Sequence, residues 1–257
     1  MPVLPLDGAR LKVVRAQEHL DVLKSEIRYY AHTHPYEIVA EPRDKIWHIE
    51  VTITSPPPPR LSLIIGDCVG NLRAALDHIT WQLAARYAGR RLVVGKDTIY
   101  VPLCDEPSRY GKSAKRFAEA YTIPTDALTH MEAVQPYQAG YELLRLLRAV
   151  TNQDKHRLLL LTTGRALDGD LEIWPEGYPS PFRVQGTSAA FLETTIPMSG
   201  DTEPALVHRD VKVKGQATIY VALKDFAMPY AWGPVDGVLE QAVKCVADIV
   251  PRFDSFV

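Results

Sequence analysis

The stretch ARLKVVRAQEHLDVLKSEIRYYAH places Leu11, Val14, Leu20, Leu23 and Ile27 at near-helical spacing. This predicts a helix over residues 9–32 with a polar outer face. The next segment, YEIVAEPRDKIWHIEVTIT, sets Trp47, Ile49, Val51 and Ile53 against Ile46, His48, Glu50 and Thr52. Alternation of this kind predicts half-buried strands, and the intervening PRD is a turn signal, so a β-hairpin is expected near 36–54. The run SPPPPR then holds the backbone near polyproline II. It reads as a stiff connector into the next element.

The second long apolar pattern covers residues 61–87 and contains GDCVGNLRAALDHITWQLA. It predicts a helix, with Gly89 as its cap. An irregular region containing VPLCDEPSRYGKS follows. Its Gly-Lys-Ser has Glu106 where a phosphate loop needs a glycine, which excludes that motif. AKRFAEAY, TDALTHMEAVQPYQ and YELLRLLRAVTNQDKHR read as three more helices, the last over 140–157. Thr125 and Asp126 are N-cap candidates for the middle one. Residues 158–224 change texture to short β-rich runs separated by Gly, Pro and Asp. VDGVLEQAVKCVADIVPRF closes the chain with an amphipathic helix over 235–252. Grouped helices and grouped strands predict an α+β fold with an antiparallel sheet. The expectation is one domain over 1–257: helix-rich to residue 157, β-rich to 224, then the last helix.

Composition narrows the classes. A hydrophobic fraction of 46% over 257 residues supports a sizeable core. A net charge of −2 argues against a broad electrostatic DNA-binding surface, so no DNA is expected as partner. Cys68, Cys104 and Cys245 are scattered and form no CxxC, which points away from a cysteine zinc site and toward a reducing compartment. No signal peptide and no membrane span are expected, so the protein is read as cytoplasmic.

The candidate chemistry sits on the second long helix. Asp67, Asn71, Ala74 and His78 follow i, i+4, i+7, i+11 and form one polar stripe, while Arg73 and Asp77 lie to another side. A second stripe, Arg145, Arg148, Asn152 and His156, runs along the helix ending in NQDKHR. Asp154 falls on the apolar side of that helix and requires a partner, for which Arg73 and Arg157 are candidates. The expectation is that the two helices face each other and build one polar centre.

These motifs resemble a broad, functionally uncharacterised set of bacterial proteins carrying a G-D-x-x-x-N-L-R-x-A-L-D-H helix and a later N-x-x-D-K-H-R. That resemblance implies no activity. Separately, RAALDH is similar to the R-x4-H signature of HEPN ribonucleases, helical proteins of toxin or phage-defence type that cut RNA without metal, usually as dimers. It departs from them at Ala74, where a polar residue is usual. This second resemblance implies catalysis by Arg73, holding the scissile phosphate, and His78, moving the proton of the ribose 2′-hydroxyl. Asp67, Asn71, Asp77, Asn152, Asp154, Lys155 and His156 would support them. It implies RNA as substrate, a homodimer and no cofactor. Histidine titrates near neutrality and arginine offers a planar fork for phosphate, so the chemistry is coherent. Five residues apart, the two stand about 140° around the helix.

Two other readings remain open. Arg73 and Asp77 form an i, i+4 pair that bridges itself, His78 is a hydrogen-bonded core residue facing Asn152 or His156, and Asp67 caps its helix. On that view the protein is a non-catalytic binding or scaffold protein with a structural polar network. Alternatively, Asp67, Asp77, His78, Asp154 and His156 hold a metal between helices.

Overall fold

In the computed structural model, residues 4–43, 46–154, 158–159, 161–175, 182–184, 193–197, 211–224 and 234–257 are described. The fold is α+β. The chain divides into two compact units: residues 1–25, 59–159 and 236–257 form the first, and 26–58 with 160–235 form the second.

The first unit is helical. It contains most of α1 (Asp7–His32), all of α2 (Pro59–Tyr87), α3 (Pro107–Tyr121), α4 (Thr125–Glu132) and α5 (Leu143–Asp154), and α6 (Val235–Ile249), which begins at its boundary. A 3-10 turn, Val250–Phe256, closes the chain. Pro251 lacks an amide hydrogen, which accounts for the change from α to tighter geometry after Ile249. Leu20, Leu23, Ile65, Leu72, Leu83, Leu147 and Phe253 are among its sealed core residues. Leu11 and Val14, expected on the buried face of α1, are instead 68% and 55% exposed. The buried face is Ala9, Ala16, Leu20 and Leu23, about half a turn away.

Several predicted boundaries move for local reasons. The last of the four prolines, Pro59, opens α2, where its missing donor costs nothing. Gly89 follows the end of α2 at φ +62°, as a left-handed cap requires. Pro107 likewise starts α3, so PSRYGKS is helical rather than irregular. Pro124 takes the cap position of α4 with no side-chain hydrogen bond, and Thr125 and Asp126 lie inside the helix instead of capping it. Gly140, at φ +87°, belongs to the turn before α5 and delays that helix to Leu143.

The second unit carries two three-stranded antiparallel sheets. The hairpin forms as expected: β1 (Tyr36–Arg43) pairs with β2 (Ile46–Ile53), Tyr36 opposite Ile53. A later strand, β5 (Glu193–Pro197), joins it on the other side of β2. The other sheet has the order β4-β3-β6, with β3 Leu161–Pro175, β4 Phe182–Val184 and β6 Val211–Leu223. Strand β3 merges two predicted short runs, with a register shift between Asp168 and Glu172. Strand β6 likewise continues through Gly215. Tyr30 is buried and donates its hydroxyl proton to Ser55 O at 2.6 Å. Among the described residues no helix is long and apolar enough to cross a membrane.

Candidate functional site

The polar residues of α2 do not share one centre. They divide among three neighbours, all within the first unit.

One neighbour is the segment Ile99–Asp105, which belongs to no helix or strand. Ile99, Val101, Leu103 and Cys104 are buried, while Tyr100 is 63% exposed. The segment therefore alternates like a strand, and among the described residues no strand lies beside it to satisfy its backbone. Buried amide and carbonyl groups must find partners, and here side chains supply them. Asp77 Oδ1 accepts the Val101 amide at 2.8 Å, and Arg73 Nη2 donates to the Val101 carbonyl at 2.8 Å. Gln135, fully buried, accepts the Cys104 amide at 3.0 Å and donates to Met131 O. Arg148 of α5 donates to the Leu103 carbonyl at 3.1 Å.

The same residues pair by charge. Arg73 Nε stands 3.5 Å from Asp77 Oδ1. Asp105 binds Arg148 and has Arg145 Nε at 3.6 Å. Burial lowers the Arg73 pKa below its ordinary value; Asp77 opposes that shift and the nearby Arg148 adds to it. Beneath the segment, the interior lined by Leu76, Ile79, Met131, Val134, Leu144 and Phe253 is apolar.

The second neighbour is α1. Gly8 lies directly against the ring of His78: a Cβ built on it would stand 2.7 Å from Nδ1. Lys12 Nζ reaches Asn71 Oδ1 at 3.3 Å, and the Cys68 thiol contacts Ala16 O. The Asn71–His78 stripe thus packs on α1. It does not face Asn152, which is exposed at the surface of α5. Among the described residues His78 is half-buried and makes no hydrogen bond.

The third neighbour is the end of α5, where the two sequence motifs meet. A Cβ on Gly66 would lie 2.6 Å from Asp154 Oδ2 and 2.7 Å from Oδ1. The glycine is what admits the carboxylate. Asp67 follows Gly66 deep inside α2, so it is not a helix cap, and its side chain is exposed. Desolvation first, then the negative charge of Asp67, raises the Asp154 pKa. The expected Asp154–Arg73 pair does not form, because Arg73 is engaged at Val101. Arg157, the other proposed partner, and Lys155 and His156 lie outside the described residues.

The single expected polar centre is therefore corrected to three contacts. Arg73 and Asp77 come together; Asp67 and Asp154 come together; His78 and Asn71 join α1. Among the described residues no group of three His, Cys, Asp or Glu side chains is placed to hold a metal ion; of the proposed ligands, Asp77, His78 and Asp154 meet separate neighbours. Asp105 and Gln135 were missed as partners. Gln135 stood in the QPYQ run and Asp105 in an apparently irregular stretch, with no periodicity to mark either. No family model, curated protein or solved structure matches the chain.

Proposed function

We propose that the protein acts without catalysis, as a binding or scaffold protein whose α2 polar residues are structural. One observation carries this reading: Arg73 and Asp77 grip the carbonyl and the amide of the same buried residue, Val101. A guanidinium committed to a protein carbonyl has less of its fork available for a phosphate. Cysteine usage supports a reducing, cytoplasmic setting on the same reading.

A metal-independent ribonuclease is the second reading, favoured by two details. His78 has no hydrogen-bond partner among the described residues, and Arg73 Nη1 has none either. In that reading His78 moves a proton and Arg73 turns from Val101 to the scissile phosphate.

End-labelled RNA incubated with the purified chain in chelator separates the two, beside Arg73→Ala and His78→Ala. The structural reading expects no cleavage, a large loss of stability in Arg73→Ala and a small one in His78→Ala. Cleavage that leaves 2′,3′-cyclic phosphate ends, abolished in both variants while they remain folded, would replace it with the ribonuclease.

A further inference from the structure

We propose that the outer face of α1 in the first unit docks on the same face of a second copy of this chain, antiparallel, about a two-fold axis. Leu11, Arg15, Glu18 and Val22 fall within about 60° of one line along the helix. Leu11 is 68% exposed and Val22 44%, and Val14, 55% exposed, flanks them. The opposite face, Ala9, Ala16, Leu20 and Leu23, is fully buried. The helix thus has one apolar face used by its own core and a second, narrower one turned to solvent. Single exposed apolar residues are ordinary on a surface; a repeated line with a symmetric order is the feature to explain.

The order is palindromic. Leu11 and Val22 stand equally far on either side of the midpoint between Ala16 and Gln17, and so do Arg15 and Glu18. A two-fold axis through that midpoint sets Leu11 against the partner's Val22 and Arg15 against the partner's Glu18, each contact made twice. Such self-complementarity is what a two-fold interface requires, whereas a different partner protein has no use for it. Charge decides the orientation. A parallel pair in register would place Arg15 on the partner's Arg15 and Glu18 on the partner's Glu18, which repel. The antiparallel pair replaces both repulsions with attractions. Within one chain Arg15 and Glu18 already form an exposed ion pair at 2.7 Å, so both side chains extend along this face and close into a four-charge cluster when two copies meet. Leu11 and Val22 are about 16 Å apart along the helix. Two apolar contacts at that spacing form a small interface, so the dimer is concentration-dependent.

The test is sedimentation velocity of the full chain across about 5 to 200 µM, a range that brackets micromolar dissociation constants. The wild type is expected to pass from monomer to dimer, and Leu11→Asp and Val22→Asp are expected to stay monomeric with unchanged circular dichroism. Arg15→Glu and Glu18→Arg each raise the dissociation constant by about tenfold or more, as expected when a paired contact becomes a like-charge one. An equal mixture of those two variants restores association, because each then offers the charge the other lacks. A wild type that is monomeric throughout overturns the proposal. So does a dimer that Leu11→Asp and Val22→Asp leave intact, or a mixture that associates no better than its components.

Discussion

Replacing Asp77 by alanine removes two things at once. The Val101 amide, buried with its residue 7% exposed, loses its acceptor at 2.8 Å. Leaving such a donor without a partner costs about 1–3 kcal/mol. Arg73 also loses its counterion at 3.5 Å. A fully buried broken pair costs about 3–5 kcal/mol, but these side chains are 18% and 22% exposed, which reduces the charge contribution to about 1 kcal/mol. Together Asp77→Ala is expected to cost about 2–4 kcal/mol. For a chain of this size that lowers the melting temperature by roughly 5–15 °C. Asp77→Asn keeps an oxygen for the Val101 amide and loses only the charge, so it should cost about 1 kcal/mol. Asp67→Ala, on the same helix but exposed, should stay within about 0.5 kcal/mol of wild type. Urea unfolding monitored by circular dichroism measures all three, and slow proteolysis near Ile99–Asp105 reports whether the segment has come loose. An Asp77→Ala protein as stable as Asp67→Ala, with the segment still protected, would refute the clamp and return Asp77 and Arg73 to the list of residues available for chemistry.

Three further outcomes follow from the same contacts. Gly66→Ala should gain about 1 kcal/mol in helix propensity and lose about 1–3 kcal/mol to the clash with Asp154, a net loss by chemical unfolding; in an Asp154→Ala background the sign should reverse to a gain. The raised Asp154 pKa means the folded state holds its proton more tightly than the unfolded chain. This group therefore costs stability as pH rises from its unfolded value of 3.8 through the higher folded one, and the cost is constant above. Asp154→Asn should accordingly melt above wild type at about pH 7 and level with it at about pH 3. Burial pushes the Cys68 thiol up to about 12, so it should resist thiol reagents until the protein unfolds, and labelling at the rate of a free cysteine would contradict its packing against α1.

Local pattern was enough for the long helices and the first hairpin. Periodicity located α1, α2, α5 and α6 and the β1–β2 hairpin, because repeated burial of one face writes itself into neighbouring residues. It misread the start of α3, where Gly111 and Lys112 look loop-like while Pro107 in fact supplies a helix start. It also placed Leu11 and Val14 on the buried side of α1, since apolar spacing does not say which of two faces the core will take.

The crowding of polar groups on α2 was visible, and its cause was not. Arg73 and Asp77 answer to the backbone of Val101, 28 and 24 residues away. Bonds from side chains to a distant backbone leave no trace at the receiving residue, because every residue has an amide and a carbonyl. Arg145 and Arg148 were legible as a stripe, but their common partner Asp105 was set only when α5 packed beside the segment. Gly66 and Asp154 belonged to two recognisable motifs, yet that one exists to make room for the other depends on a contact across 88 positions of chain. Sequence alone determined which residues are costly to bury. Tertiary structure decided what they were buried against, because that depends on which backbone groups the fold leaves without a partner of their own.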